Sequence, residues 1–110
     1  MLIENTHTGA KNLSVSKLAQ KFLEYCEINK NQSLKTLENY RHYLTRFMGF
    51  VKRDLPVAEI NLDLVDQYRI YLNRLRNDAG APLLTSKTQS YHIIALRAFL
   101  KYLVKQDIVS

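Results

Sequence analysis

At 110 residues, with 46% hydrophobic and 24% charged side chains, the chain is sized for one globular domain that closes a modest core without metal or disulfide support. Three Gly and two Pro argue against long irregular structure, and the single cysteine excludes an internal disulfide. A formal net charge of +6 and a pI near 9.6 prompt a search for a nucleic-acid partner, whereas no run of about 18 apolar residues and no signal-like start point toward a membrane or secretion.

Residues 1–13 are polar and without period, and read as an N-terminal arm with no assigned function. A first helix is expected after Ser14 or Ser16 as N-cap and runs to about Asn29, burying Val15, Leu18, Phe22, Tyr25 and Cys26. Cys26 reads there as a small buried hydrophobe, which fits a reducing cytosol and a cytoplasmic location. After the turn Asn29 to Gln32, Ser33 caps a second helix that ends near Arg53, ahead of Asp54, Leu55 and Pro56.

The second helix carries two stripes. Leu37, Tyr40, Leu44, Phe47 and Val51 recur at spacings of three and four and face a core. Lys35, Asn39, His42, Arg46, Gly49 and Arg53 form a polar, mostly basic row on the other side. A third helix starts at Asn61, with Asp63 and Asp66 early and Arg69, Arg74 and Arg76 late, the order that the helix macrodipole favours; Leu62, Val65, Tyr68, Leu72 and Leu75 are its expected core stripe. Asn77 to Pro82 is a turn or loop of six to eight residues. A fourth helix follows Thr85 to about Gln106 and buries Ile93, Leu96, Phe99, Leu100 and Leu103, with Gln89 and His92 on the margin and Lys87, Ser90, Tyr91, Ile94, Lys101 and Lys105 outside. Residues 108–110 read as the start of a linker. Four amphipathic helices without a convincing strand predict an all-α four-helix orthogonal bundle spanning 14–107.

The residues offer no active site. His7, His42 and His92 are far apart and belong to no HExxH or CxxC pattern, so no metal or cofactor is expected, and glycine-rich phosphate loops and GxSxG are missing. Asp63 and Asp66 are explained by the helix N-terminus, and Tyr40, Tyr68 and Tyr102 by the core. What remains is a pair of helices with basic, acid-poor outer faces. The second has Glu38 beside its row and the fourth has no acid at all. Lys or Arg neutralising phosphates, with a helix against the major groove, would use such faces. Ile94, apolar on the outer side, suits either a thymine methyl or another helix.

Ser33-x-x-Thr36-Leu37-x-x-Tyr40-x-x-x-Leu44-x-x-Phe47, followed by Thr85-x-x-Thr88 and Ala95-Leu96-Arg97-Ala98-Phe99-x-x-Tyr102-Leu103, resembles the N-terminal core-binding (SAM-like) domain of tyrosine recombinases, the phage integrase family. The resemblance covers Leu13 to Val109. It implies one half of a C-shaped clamp around a recombination site, with the second and fourth helices against the major groove. The implied DNA-facing residues are Lys35, Thr36, Asn39, His42 and Arg46, then Lys87, Thr88, Tyr91 and Ala95. Lys35, Arg46 and Lys87 would hold phosphates, and Asn39, His42 and Tyr91 would reach base edges. In this family a separate C-terminal domain with an HxxR box and a nucleophilic Tyr performs catalysis; the chain has no HxxR, so the fragment is expected neither to cleave nor to join DNA. The implied partners are double-stranded DNA and other recombinase protomers on it, with no membrane and no small-molecule ligand. The alternatives are a helical protein-interaction domain with a basic docking face and a helix-turn-helix regulator, the latter disfavoured by the length of the loop from Ala79 to Leu84.

Overall fold

The computed structural model describes residues 14–106; the expected arm at 1–13, His7 within it, and the linker start at 108–110 lie outside them. The described chain forms four helices: α1 (Val15–Ile28), α2 (Leu34–Val51), α3 (Leu62–Arg74) and α4 (Ser86–Lys105), with a short 3-10 turn at Val57–Glu59. Extended pairing among the described residues is limited to two isolated bridges, Ser14 with Pro56 and Arg76 with Pro82. The fold is all-α, as the periodicity predicts.

Helix α1 buries Val15, Leu18, Ala19, Phe22, Leu23 and Cys26. Its N-terminus is closed from a distance. Ser14 occupies the cap position but its side chain makes no capping hydrogen bond. Instead the Ser16 backbone N–H donates to Asp54 Oδ1 at 3.0 Å, and the Ser16 hydroxyl donates to Oδ2. A carboxylate 38 residues further on therefore satisfies the orphan donor that a local serine was expected to take, and it complements the positive helix end.

Helix α2 is capped as expected, Ser33 Oγ accepting from the Thr36 N–H at 3.2 Å. It stops at Val51, two residues before the expected end, because Lys52 adopts the left-handed region at φ 61° while its N–H still closes on the Met48 carbonyl at 3.1 Å. That reversal brings Leu55 and Val57 into the core, and an Arg53–Glu59 ion pair spans the turn.

In α3, Asn61 caps the Leu64 N–H at 2.8 Å, and Val65, Tyr68 and Leu72 are buried. Leu62 corrects the expected core stripe: it is 77% exposed. It sits in the first turn, roughly 100° of helix rotation from the line through Val65, Tyr68 and Leu72. The connection to α4 is tied up rather than open. Asn77 Oδ1 accepts from the Ala79 and Ala81 N–H groups at 2.9 and 3.0 Å, Gly80 supplies φ 83°, and the Leu83 N–H reaches the Leu75 carbonyl at 2.9 Å.

Aromatic rings knit the helices together. Phe22 of α1 lies 5.8 Å from Tyr40 of α2 and 5.6 and 5.5 Å from Phe99 and Tyr102 of α4. Phe47 and Phe50 of α2 meet Tyr68 of α3 at 5.0 and 5.2 Å. Such contacts add about 0.5–1.5 kcal/mol per pair beyond area burial. Helix α4 is fully buried at Ala95, Phe99 and Leu103 and touches every other helix.

Candidate nucleic-acid interface

Helices α2 and α4 begin with the same device. Ser33 Oγ accepts from the Thr36 N–H and donates to Thr36 Oγ1 at 3.1 Å; Thr85 Oγ1 accepts from the Thr88 N–H at 3.2 Å and donates to Thr88 Oγ1 at 3.1 Å. The repeated S/T-x-x-T spacing is thus a capping motif. Thr36 and Thr88 are half-buried, and each keeps its own hydroxyl proton for an outside acceptor.

The two helices meet along a seam marked by rings. Tyr43 lies 4.4 Å from His92, and His42 approaches the same ring at 6.0 Å. His92, expected at the margin, is 1% exposed. Its Nδ1 lies 2.8 Å from the Thr88 carbonyl, so Nδ1–H is the donor and Nε2 is left as the acceptor. Burial pushes the His92 pKa down; the Thr88 hydrogen bond opposes this, and the nearby Arg46 and His42 reinforce it. The ring is therefore neutral at pH 7.

Lys35, His42, Lys87 and Tyr91 are exposed, and Asn39 and Arg46 are half-buried. Because His42 and Arg46 border the His92 ring from α2, while Thr88 and Tyr91 adjoin it on α4, the two polar rows flank one seam. Lys87 Nζ sits 5.9 Å from the Tyr91 ring centroid, a cation–π pair one turn apart. Arg46 is anchored more deeply than its neighbours: its Nε is buried without a partner, as are Tyr68 Oη and His92 Nε2 at the same junction of α2, α3 and α4. Gly49 is exposed, and a Cβ there would meet nothing within 4 Å.

Ala95 is the correction. It is fully buried, one turn beyond His92 on the same side of α4, so it faces no outside partner. Tyr43 is the residue that the periodicity overlooked. It falls between the basic row at His42 and the core at Leu44, and neither stripe claims it.

Charge is unevenly shared among the helices. Helices α1 and α3 each carry two basic and two acidic residues, whereas α2 has three Lys or Arg against Glu38 alone and α4 has four and no acid. The positive excess therefore resides on the two helices that form the seam. Among the described residues no group of His, Cys, Asp and Glu could hold a metal ion, and no helix is long and apolar enough to cross a membrane.

This four-helix bundle is a recombinase-type N-terminal domain, as comparison with known proteins shows. The description "Phage integrase, N-terminal SAM-like domain" matches residues 19–107, and the chain belongs to that family. Similar proteins include tyrosine recombinases XerC from Bacillus pumilus, 31% identical over 93 residues, from Leptospira interrogans, 29% over 97, and from Anoxybacillus flavithermus, 28% over 89. These alignments cover 84%, 87% and 81% of this chain but 29%, 29% and 28% of the relatives, so the chain spans under a third of their length. The match falls on the N-terminal domain and not on a catalytic one. No solved structure gives a significant match.

Proposed function

We propose that the chain is the DNA-binding, core-site clamp domain of a site-specific tyrosine recombinase acting in DNA integration and recombination, with the α2/α4 seam laid against duplex DNA. The observation that carries this reading is the pooling of positive charge in two accessible rows along one seam. Lys35 and Lys87 reach phosphates. The free hydroxyl protons of Thr36 and Thr88, beside helix N-termini, add donors to the same backbone. Asn39, His42 and Tyr91 lie between the cations, where base edges would come. Arg46 contributes its charge from a partly buried position. Bond breaking and joining belong to a catalytic domain of the kind that the relatives' names imply.

Fluorescence anisotropy on a labelled duplex tests the reading. Log affinity should fall linearly with log salt, by roughly 0.9 per phosphate neutralised. Lys35→Glu and Lys87→Glu should each weaken binding on the order of tenfold and flatten the salt slope by about one unit or more. Both residues are exposed, so helicity should stay intact. Arg46→Glu is a poorer probe because it would place a carboxylate beside buried Tyr68 and His92. Unchanged affinity in both lysine variants at low salt would refute the proposed face.

A further inference from the structure

Three polar atoms are enclosed where α2, α3 and α4 meet and have no hydrogen-bond partner in the chain: Arg46 Nε, Tyr68 Oη and His92 Nε2. Each comes from a different helix. Tyr43, nearly one turn before Arg46, lies 4.4 Å from the His92 ring, and Phe47, the next residue after Arg46, meets the Tyr68 ring edge-on at 5.0 Å. Arg46 therefore leaves α2 between its contact with α4 and its contact with α3, and its charge acts on both rings. Tyr68 and His92 are 0% and 1% exposed, so bulk solvent reaches neither. Burying such atoms unpaired is costly enough that native proteins rarely do it.

The three atoms form a chemical set. Arg46 Nε–H can only donate. His92 donates through Nδ1 to the Thr88 carbonyl at 2.8 Å, so its Nε2 can only accept. The Tyr68 hydroxyl can do either. Burial raises the Tyr68 pKa and lowers that of His92, so both groups are neutral at pH 7. An anion would face the Nε2 lone pair, and a cation would face the guanidinium. One water satisfies all three: it accepts from Arg46 Nε–H and from the Tyr68 hydroxyl and donates to His92 Nε2, three bonds being the usual number for a buried water.

The outer edge of Arg46 is uncommitted. Among the described residues the ion pair is Arg53 with Glu59, so no carboxylate claims the Arg46 guanidinium. Its two Nη groups are not among the enclosed atoms. We propose that a buried water held by Tyr68 and His92 anchors Arg46 at Nε and so aims its Nη edge at a DNA phosphate. Tyr68 and His92 are positioning residues that touch no DNA. An arginine tethered at its inner edge has less freedom to lose on binding, which strengthens the contact that it makes. The aim at a phosphate rests on the DNA-binding reading; the anchor does not.

The anchor is tested first without DNA, by NMR of the labelled chain at neutral pH. The Arg46 Nε proton should exchange slowly and show a cross-peak to a long-lived water, and Tyr68→Phe should speed its exchange. Fast exchange in the native chain, a missing water cross-peak, or exchange indifferent to Tyr68→Phe would overturn the anchor. The aim is tested by duplex anisotropy at low salt. Tyr68→Phe should weaken binding about threefold or more, with helicity and denaturation midpoint close to those of the native chain. In an Arg46→Met background, which keeps the apolar stem, Tyr68→Phe should change nothing further, because it acts through Arg46. A hydroxyl without this role predicts the reverse: Tyr68→Phe would raise the midpoint and leave affinity as it was. That result, or an equal loss of affinity in the Arg46→Met background, would overturn the proposal. A native chain that binds no duplex would refute the DNA-binding reading and the aim with it, while the exchange measurement would still decide the anchor.

Discussion

Asp54 shows how one side chain links distant parts of the chain. The Ser16 hydroxyl and backbone N–H hold its carboxyl below the ordinary carboxylate range. A depressed acid contributes stability that is present above its unfolded pKa, about 3.9, and is lost as pH falls through the lower folded value. Asp54→Ala should cost about 0.5–1 kcal/mol at pH 7, a modest figure because the group is exposed, and the deficit should shrink in urea melts below about pH 4. His92 has the same sign for the opposite reason, since its folded state refuses a proton. The unfolded imidazole charges near pH 6.5 while the buried ring, packed among Tyr43, His42 and Arg46, stays neutral. Stability should therefore be full above that pH and decline as pH drops below it. Thermal melts of His92→Phe should show a smaller fall between pH 7 and 5 than the native chain; parallel curves would contradict the assignment.

At the scale of the element, the spacing of α2 and α4 is what makes two rows into one face. Ala95 is fully buried on the side of α4 that carries His92, and the three carbons that leucine adds would have to push its neighbours aside. Ala95→Leu should destabilise the domain by about 1–3 kcal/mol through overpacking, read by denaturant melts. If Ala95 instead faced solvent, the substitution would leave stability unchanged within about 0.5 kcal/mol. The paired caps at Ser33 and Thr85 set where each row begins. Thr36 and Thr88 recur in the motif as partners of the caps: each hydroxyl oxygen accepts from the Ser33 or Thr85 hydroxyl while the backbone N–H donates back to it.

For the molecule as a whole, Phe22 is the point where three helices converge, touching Tyr40, Phe99 and Tyr102. Truncating a buried Phe to Ala costs about 3–5 kcal/mol, against a total of roughly 5–15 kcal/mol for a domain. Phe22→Ala should therefore lose a large share of cooperative stability, visible as a lower denaturation midpoint. The same convergence holds the Tyr102 ring, so this variant should also loosen Tyr102, whereas the exposed charge reversals at Lys35 and Lys87 should not.

The helix count, the caps at Ser33, Asn61 and Thr85, most of the core and the basic rows were legible in the chain. Each is a local property: apolar residues at spacings of three and four define a buried side, and a hydroxyl or amide before that pattern satisfies the first orphan N–H groups. Three things lay beyond that reach. Asp54 capping α1 depends on a contact across 38 residues, the burial of His92 depends on where Tyr43 of α2 comes to rest, and the burial of Ala95 depends on which neighbours pack over α4. Period assigns a residue to a side of its own helix, but only tertiary packing decides which neighbour covers that side. For the same reason the two basic rows could be read from the residues, while their meeting along a single seam at Tyr43 and His92 was settled by the fold.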